Sequence, residues 1–303
     1  MQNMSRPQMG ARFLPAALAV FVLCLVAAIA VISATPAQAH AKSYTCPKVD
    51  ISANVSTDGS LDVVEQRTFD FDGSFTAVWW TFDSVPDNGS LKVNGVSLTK
   101  VDADGMPTGE TVQLGETSFN LDWRDAGGPG TDSYSVDSPK NSVYVFFHAS
   151  DERMVITLDY TIENGVVAYK DVADAYWKYI GDQWEVASEN VTMTLSLPVP
   201  QDVSVVAGEN VRAWGHGPLD GTLATNADGT IVYKNPQVNP GQYAEARVAF
   251  PVEWLANLKG EGSLAARDQN HLDTILKEEQ AWSDQANRDR LFSLAFVIAC
   301  GII

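Results

Sequence analysis

Residues 49–82 read VDISANVSTDGSLDVVEQRTFDFDGSFTAVWWTF, and the spacing of the apolar residues in this stretch decides the fold class. Val49, Ile51, Ala53 and Val55 alternate with Asp50, Ser52, Asn54 and Ser56, the two-residue period of a strand with one wet face. Leu61, Val63, Phe69 and Phe71 mark a second strand. Asp58-Gly59 between them suggests a two-residue hairpin turn, but that register sets Val55 against Asp62 and Ile51 against Gln66, an apolar row beside a polar one. A three-residue turn, Thr57-Asp58-Gly59 with Gly59 left-handed, sets Val55 against Leu61 and Ala53 against Val63. The pattern selects the second register.

That register places Glu65 and Arg67 in the inward row with Leu61 and Phe69. An unpaired buried charge is expensive, so the two are expected to pair, reach the rim or be displaced by a bulge. A buried catalytic carboxylate is the functional alternative. The third run, 75–82, is apolar on both faces, through Phe75, Ala77 and Trp79 on one and Val78, Trp80 and Phe82 on the other, which describes a covered strand.

Outward from this stretch, 303 residues at 45% hydrophobic composition can bury a sizeable core in one or two domains. Residues 1–39 carry Arg6 and Arg12, then an uncharged apolar run over 13–32, then Thr35-Pro36-Ala37-Gln38-Ala39 with a small-x-small ending. This reads as a secretory signal cut after Ala39, with an uncleaved anchor as the alternative because the run is long. Either places the domain after residue 39 outside the cytoplasm. Leu23 before Cys24 makes that cysteine a poor lipid-attachment site, and Cys300 sits in an apolar end segment. Only Cys46 then remains in the exported part, so neither an intrachain disulfide nor a zinc site is expected, and no metal or cofactor is. Residues 1–39 hold two basic and no acidic residues, so their loss moves the formal charge from -18 to -20. Such a surface repels nucleic acid.

Further along, Leu91-Lys92-Val93, Asn94-Gly95, Val96-Ser97-Leu98 has the form of a two-residue hairpin pairing Val93 with Val96. Asp102-Ala103-Asp104-Gly105 resembles a calcium loop only in outline, with Met106 at its fifth position and the glycine one place early, and reads as an ordinary turn. Phe119, Leu121 and Trp123 alternate as a strand, residues 124–139 form the longest loop, and 143–147 and 154–162 have the composition of central strands. From Tyr169 the period changes: Tyr169, Val172, Tyr176 and Ile180 stand at helical spacing, and Gly181 can stop a helix. Strand periods resume over 191–197, 203–206, 231–233 and 244–250. The expected fold is mainly β: an antiparallel β-sandwich, or two packed sub-sandwiches, over 44–254, with a short docked helix at 169–181. An amphipathic juxtamembrane helix over 263–290 then enters the apolar run 291–303. A spanning helix needs roughly 20 apolar residues, and these 13 read as the start of a transmembrane helix that tethers the chain to a lipid bilayer.

Several motifs occur together in one order: residues 59–82, DVADAYWKYIGDQWEVASENVTMTLSLP at 171–198, Trp214-Gly215-His216-Gly217-Pro218-Leu219, and Glu245-Ala246-Arg247-Val248-Ala249-Phe250-Pro251. Over 44–303 the chain resembles the YciQ-like family of predicted bacterial membrane proteins. The resemblance implies an N-terminal signal, an extracytoplasmic β-rich domain and then transmembrane helices. It transfers no catalytic residue, because the family is a domain of unknown function.

A Gly-x-Ser-x-Gly elbow, a phosphate-binding glycine loop and a His-Glu-x-x-His helix are all absent, and His40, His148, His216 and His271 lack ligand spacing. Asp171, Asp174 and Glu185 flank the aromatic group Tyr169, Tyr176, Trp177, Tyr179 and Trp184, which suits sugar stacking. The candidate binding residues are therefore Asp171, Asp174, Trp177, Trp184 and His216, with His216 in a turn and Trp177 the residue most open to a ligand. The structural alternative docks the helical face on the sandwich, with Asp171 and Asp174 near its positive end. These residues leave two functions open: a membrane-tethered extracytoplasmic module that binds an envelope protein or glycan, or an envelope glycan hydrolase using acidic residues.

Overall fold

The computed structural model describes residues 41–118, 128–129, 132–258 and 267–299. The first strands in chain order are β1 (Ser43–Val55), β2 (Leu61–Asp72), β3 (Ser74–Thr81), β4 (Ser90–Val101), β5 (Val112–Gln113), β6 (Gly115–Glu116), β7 (Ser133–Asp137) and β8 (Ser142–Ser150). They continue with β9 (Arg153–Glu163), β10 (Val166–Ala168), β11 (Ala173–Ile180), β12 (Ser188–Ser196), β13 (Arg212–His216), β14 (Thr222–Thr225), β15 (Thr230–Val238) and β16 (Ala244–Phe250). One long helix, α1, covers Leu272–Ala299. The strands build a large sheet of order β14-β15-β12-β1-β2-β9-β4-β5, a second sheet β3-β8-β7-β6 and a third β10-β11-β16-β13. Pairing is antiparallel except for β1 with β12 and β6 with β7.

The inner row of the large sheet, with Val49, Leu61, Phe69, Ile156, Leu158, Met193 and Ile231 all buried, faces the two smaller sheets. Phe71 meets Phe147 and Phe82 meets Tyr160 across the boundary with the second sheet, and Tyr179 meets Tyr233 across that with the third. The result is a mainly β, two-layered sandwich whose second layer is split. Each fully buried Leu, Ile or Phe contributes about 1.5–3 kcal/mol, so this core holds the fold without a covalent staple.

The opening hairpin has the expected register, with Val55 opposite Leu61 and Ala53 opposite Val63. Gly59 has φ +87°, and Asp58 Oδ1 accepts from Ser60 N at 3.0 Å. Glu65 and Arg67 are both buried and take the first of the three expected routes, an ion pair between their side chains. Trp80 Nε1 donates to Glu65 at 2.9 Å, Arg67 donates to Ser188 Oγ at 3.0 Å, and the guanidinium lies 4.1 Å from the Trp184 ring centre.

Four local expectations are corrected. Residues 91–98 form no hairpin; they lie inside β4, which pairs along its length with β9 and bulges between Val93 and Gly95. The odd spacing of Val93 and Val96 would put them on opposite faces of a regular strand, and the extra residue at the bulge restores them to one. Asn94 at that point donates to Asp159 and Thr161, at 3.1 Å each. The third run is covered on one face only: Val78 and Trp80 are buried, whereas Trp79 on the other face is 40% exposed. The tail of the expected long loop is strand β7, held between β8 and β6. Residues 203–206 form no strand, and the edge strand there is β13 instead.

The largest correction concerns 169–181, which is not a helix: residues 173–180 are strand β11, paired with β10 and β16. Helical and strand periods both fit the aromatic spacing, and pairing on both edges decides for the strand. Ala173, Ala175, Trp177 and Tyr179 face the core, while Asp174, Tyr176 and Lys178 occupy the outer face. The Asp102 turn is as expected, with Asp102 Oδ1 accepting from Asp104 N at 3.0 Å and Met106 N at 2.8 Å. The signal-like residues 1–39, the alternating residues 119–123 and residues 300–303 lie outside the described residues. Among the described residues no helix is long and apolar enough to cross a membrane, so α1 does not support the expected passage into a transmembrane helix.

Candidate functional site

The outer face of the third sheet is a patch of charges and aromatic rings. The register sets Tyr176 beside Arg247, Lys178 beside Glu245, Trp214 beside Arg247 and His216 beside Glu245. The first turns of α1 cover this patch. Ile275, fully buried, packs with Val172 and Ala249, flanked by Tyr169, Trp214 and Leu272. Asp171, in the turn before β11, accepts from His271 N at 2.7 Å and Leu272 N at 3.3 Å. A carboxylate at those unpaired amides stabilises a helix start by about 0.3–1 kcal/mol. The Tyr169 ring stacks on His271 at 4.0 Å.

One turn further along, Arg247 gathers three carboxylates. It reaches Asp174 Oδ2 at 2.8 Å, Glu278 at 2.8 Å and Glu279 at 3.3 Å. His216 Nε2 lies 2.9 Å from Glu279, and Nδ1 is 3.7 Å from Glu245, beyond hydrogen-bond reach. Tyr176 Oη donates to Glu245 at 2.7 Å. Burial alone would lower the His216 pKa, but the two glutamates outweigh it and push it up to about 9, so the ring is a cation at neutral pH. Burial raises the Asp174 pKa against the pull of Arg247. At Glu245, burial would raise the pKa, and His216 and Tyr176 more than reverse it. The backbone at Gly217 has φ +134°, and a Cβ there would lie 2.4 Å from the Tyr243 carbonyl. Only glycine fits, which brings the strand carrying His216 hard against the segment before β16. Between α1 and β13 opens a cleft of about 660 Å³, lined by Tyr176, His216, Tyr243, Glu245, Trp282 and Arg290.

The five residues expected from sequence do not form one site. Asp174 and His216 join the ionic cluster, and Asp171 caps the start of α1. His216 ends strand β13 rather than sitting in a turn. Trp177 is 4% exposed and belongs to the core, whereas its neighbour Tyr176 is 37% exposed. Turning a helix into a strand reverses their roles, because neighbours in a strand point to opposite faces. Trp184 lines a separate cleft of about 260 Å³ between β3 and the segment after β11. Glu279 and Trp282 were missed, since their part of α1 reads as a juxtamembrane segment, and Arg247 was missed because it lies in a short, mostly apolar strand that reads as plain β content.

Fold and site together define a β-sandwich module with a helix clasped to one outer face. The chain belongs to the family described as predicted membrane protein (DUF2207) N-terminal domain, which matches residues 45–250. That membership supports association with a membrane and carries no biochemical activity. No curated protein matches the chain. Among solved structures it is similar to the crystal structure of "a putative protease from Parabacteroides distasonis", at 13% identity and a TM-score of 0.36, over 67% of this chain and 40% of that one. The chain thus spans less than half of that protein, and the likeness is too slight to carry an argument.

Proposed function

We propose that this chain is a membrane-tethered, extracytoplasmic module of the YciQ-like kind, which binds an envelope protein or polymer without chemically altering it. The observation that supports binding over hydrolysis is the engagement of the carboxylates at the larger cleft. Asp174 is held by Arg247, Glu279 lies between Arg247 and His216, and Glu245 is tied to His216 and Tyr176. Glycoside hydrolysis needs one carboxyl kept protonated and a second free to act as base or nucleophile. A His216 that is already protonated at neutral pH is not a general base either. Tethering draws support from the family description and from Leu291 and Phe292, which are 67% and 72% exposed where α1 leaves the sandwich. The signal-like residues 1–39 favour the extracytoplasmic side.

The test incubates the full chain with isolated bacterial envelopes. Co-sedimentation with no soluble product is expected. Release of reducing ends or peptides that disappears in Glu245→Gln would make the module a hydrolase. Protease added to intact cells, after removal of any wall barrier, is expected to digest the β domain; digestion only after lysis contradicts the topology.

A further inference from the structure

The turn from β13 to β14 presents a large apolar side chain to solvent: Leu219, near its tip, is 58% exposed. The backbone on either side of it is held close to its neighbours. A Cβ on Gly217 would lie 2.4 Å from the Tyr243 carbonyl and one on Gly221 2.4 Å from Asn235 Oδ1, and Gly221 N donates to the Pro218 carbonyl at 3.2 Å. Leu219 is thereby kept outward. Arg290 Nη2 donates to the Leu219 carbonyl at 3.3 Å, which holds the turn beside α1. At that point Leu291 and Phe292, 67% and 72% exposed, begin the apolar run 291–303.

We infer that the turn 217–221 and the end of α1 form one bilayer-contact surface, with Leu219 seated in the lipid interface beside the helix. This rests on the tethering reading and adds a second contact to it. Consecutive residues of a helix point roughly 100° apart, so Leu291 and Phe292 stand on different faces. The sequence LFSLAFVIA over 291–299 has no charged residue on any side. A groove on a protein partner covers one stripe of a helix, whereas a helix apolar all round needs surroundings that close on it. The family of predicted membrane proteins points to lipid as those surroundings. Immersing that end asks no helix to cross the membrane. Arg290 can lay its stem along apolar surface while its guanidinium stays among headgroups. Charge is not the attraction: the chain carries -18 and Asp220 follows Leu219, so a zwitterionic surface suffices. Because Leu219 and Arg290 also line the larger cleft, the contact sets one end of that cleft at the headgroup layer.

The experiment places the full chain in phosphatidylcholine vesicles that carry a lipid-soluble, photoactivated carbene probe, and maps the labelled peptides by mass spectrometry. The apolar run 13–32 can hold the chain on vesicles by itself, so the readout is where the label falls. Met106 and Val112, 63% and 45% exposed, are the reference, since β5 and β14 are opposite edges of the large sheet. Several-fold more label is expected over 217–223 than over 106–112, with 291–303 labelled as well and without need of phosphatidylglycerol. Leu219→Ser, at an exposed position, should leave the melting temperature unchanged and bring the label over 217–223 down toward the reference. Equal label at the two edges overturns the inference, and with a dimer in detergent it gives the surface to a second copy. Label at the turn that requires phosphatidylglycerol, or that ignores Leu219→Ser, overturns it too. Label confined to 291–303 removes the turn and keeps the tether; label in neither region removes both.

Discussion

Two clusters of buried charge serve different purposes in this molecule. Glu65 and Arg67 stand two residues apart on one strand, with side chains 2% and 1% exposed, and their partners Trp80 and Ser188 come from within the sandwich. Arg247 and His216 instead bind across a boundary, from the third sheet to α1, beside an open cleft and with Glu278 44% exposed. Burial of charge alone therefore does not mark a working site. The first pair lets a polar couple sit in a packed core. The second fixes one element to another that could otherwise separate, and its own His216, Glu245 and Glu279 line the larger cleft.

The sharpest way to break this contrast is to unpair the core couple. Arg67→Met leaves Glu65 buried without its cation and should cost ~3–5 kcal/mol in a denaturant melt, whereas replacing both by apolar residues should recover most of the loss. A loss small for the single variant would mean that water reaches the core. Next in size is the pair of neighbours on β11. Trp177→Ala should cost about 3 kcal/mol or more as a buried ring, and Tyr176→Ala only about 1 kcal/mol, its ring being over a third exposed. Equal costs would contradict the assignment of faces. Gly59→Ala comes third: a Cβ would find ordinary contacts there, the nearest at 3.5 Å, so only the positive φ is strained. A loss of about 1 kcal/mol is expected.

The remaining effect is that of pH. His216 has its pKa raised from 6.5 to about 9, so its contribution is fully present below the unfolded value of about 6.5 and fades as pH rises through about 9. Glu245 and Glu279 face it, and Arg247 shares Glu279 with it. The stability difference between the parent and His216→Gln should shrink over that window. A difference that holds constant would mean His216 is neutral in the fold.

The opening hairpin was legible in sequence because alternation and turn chemistry, read together, left one register; the inward placement of Glu65 and Arg67 came with it, and their pairing was one of three routes left open. Residues 91–98 misled because a bulge mimics a turn when only one strand is read: Asn94-Gly95 is common to both, and β9 tells them apart. Residues 169–180 misled for a deeper reason. Their aromatic residues satisfy the periods of 3.6 and 2 alike, and pairing with β10 just upstream and with β16 about 70 residues downstream decides between them. Site residues inherited that error. Asp174 and His216 were within reach as polar groups in aromatic surroundings, but the partners that give them meaning, Arg247 and Glu279, lie 73 and 63 residues away.

The central claim is that charges clasp α1 to the third sheet while the sandwich stands on its own core. Hydrogen exchange on the full chain carrying Glu279→Ala tests it most directly, read at the amides of residues 275–282 and at those of β2 and β9. The account predicts faster exchange in the helix segment, with β2 and β9 protected as in the parent. Unchanged protection across 275–282, or loss of protection spread equally through β2 and β9, would contradict it.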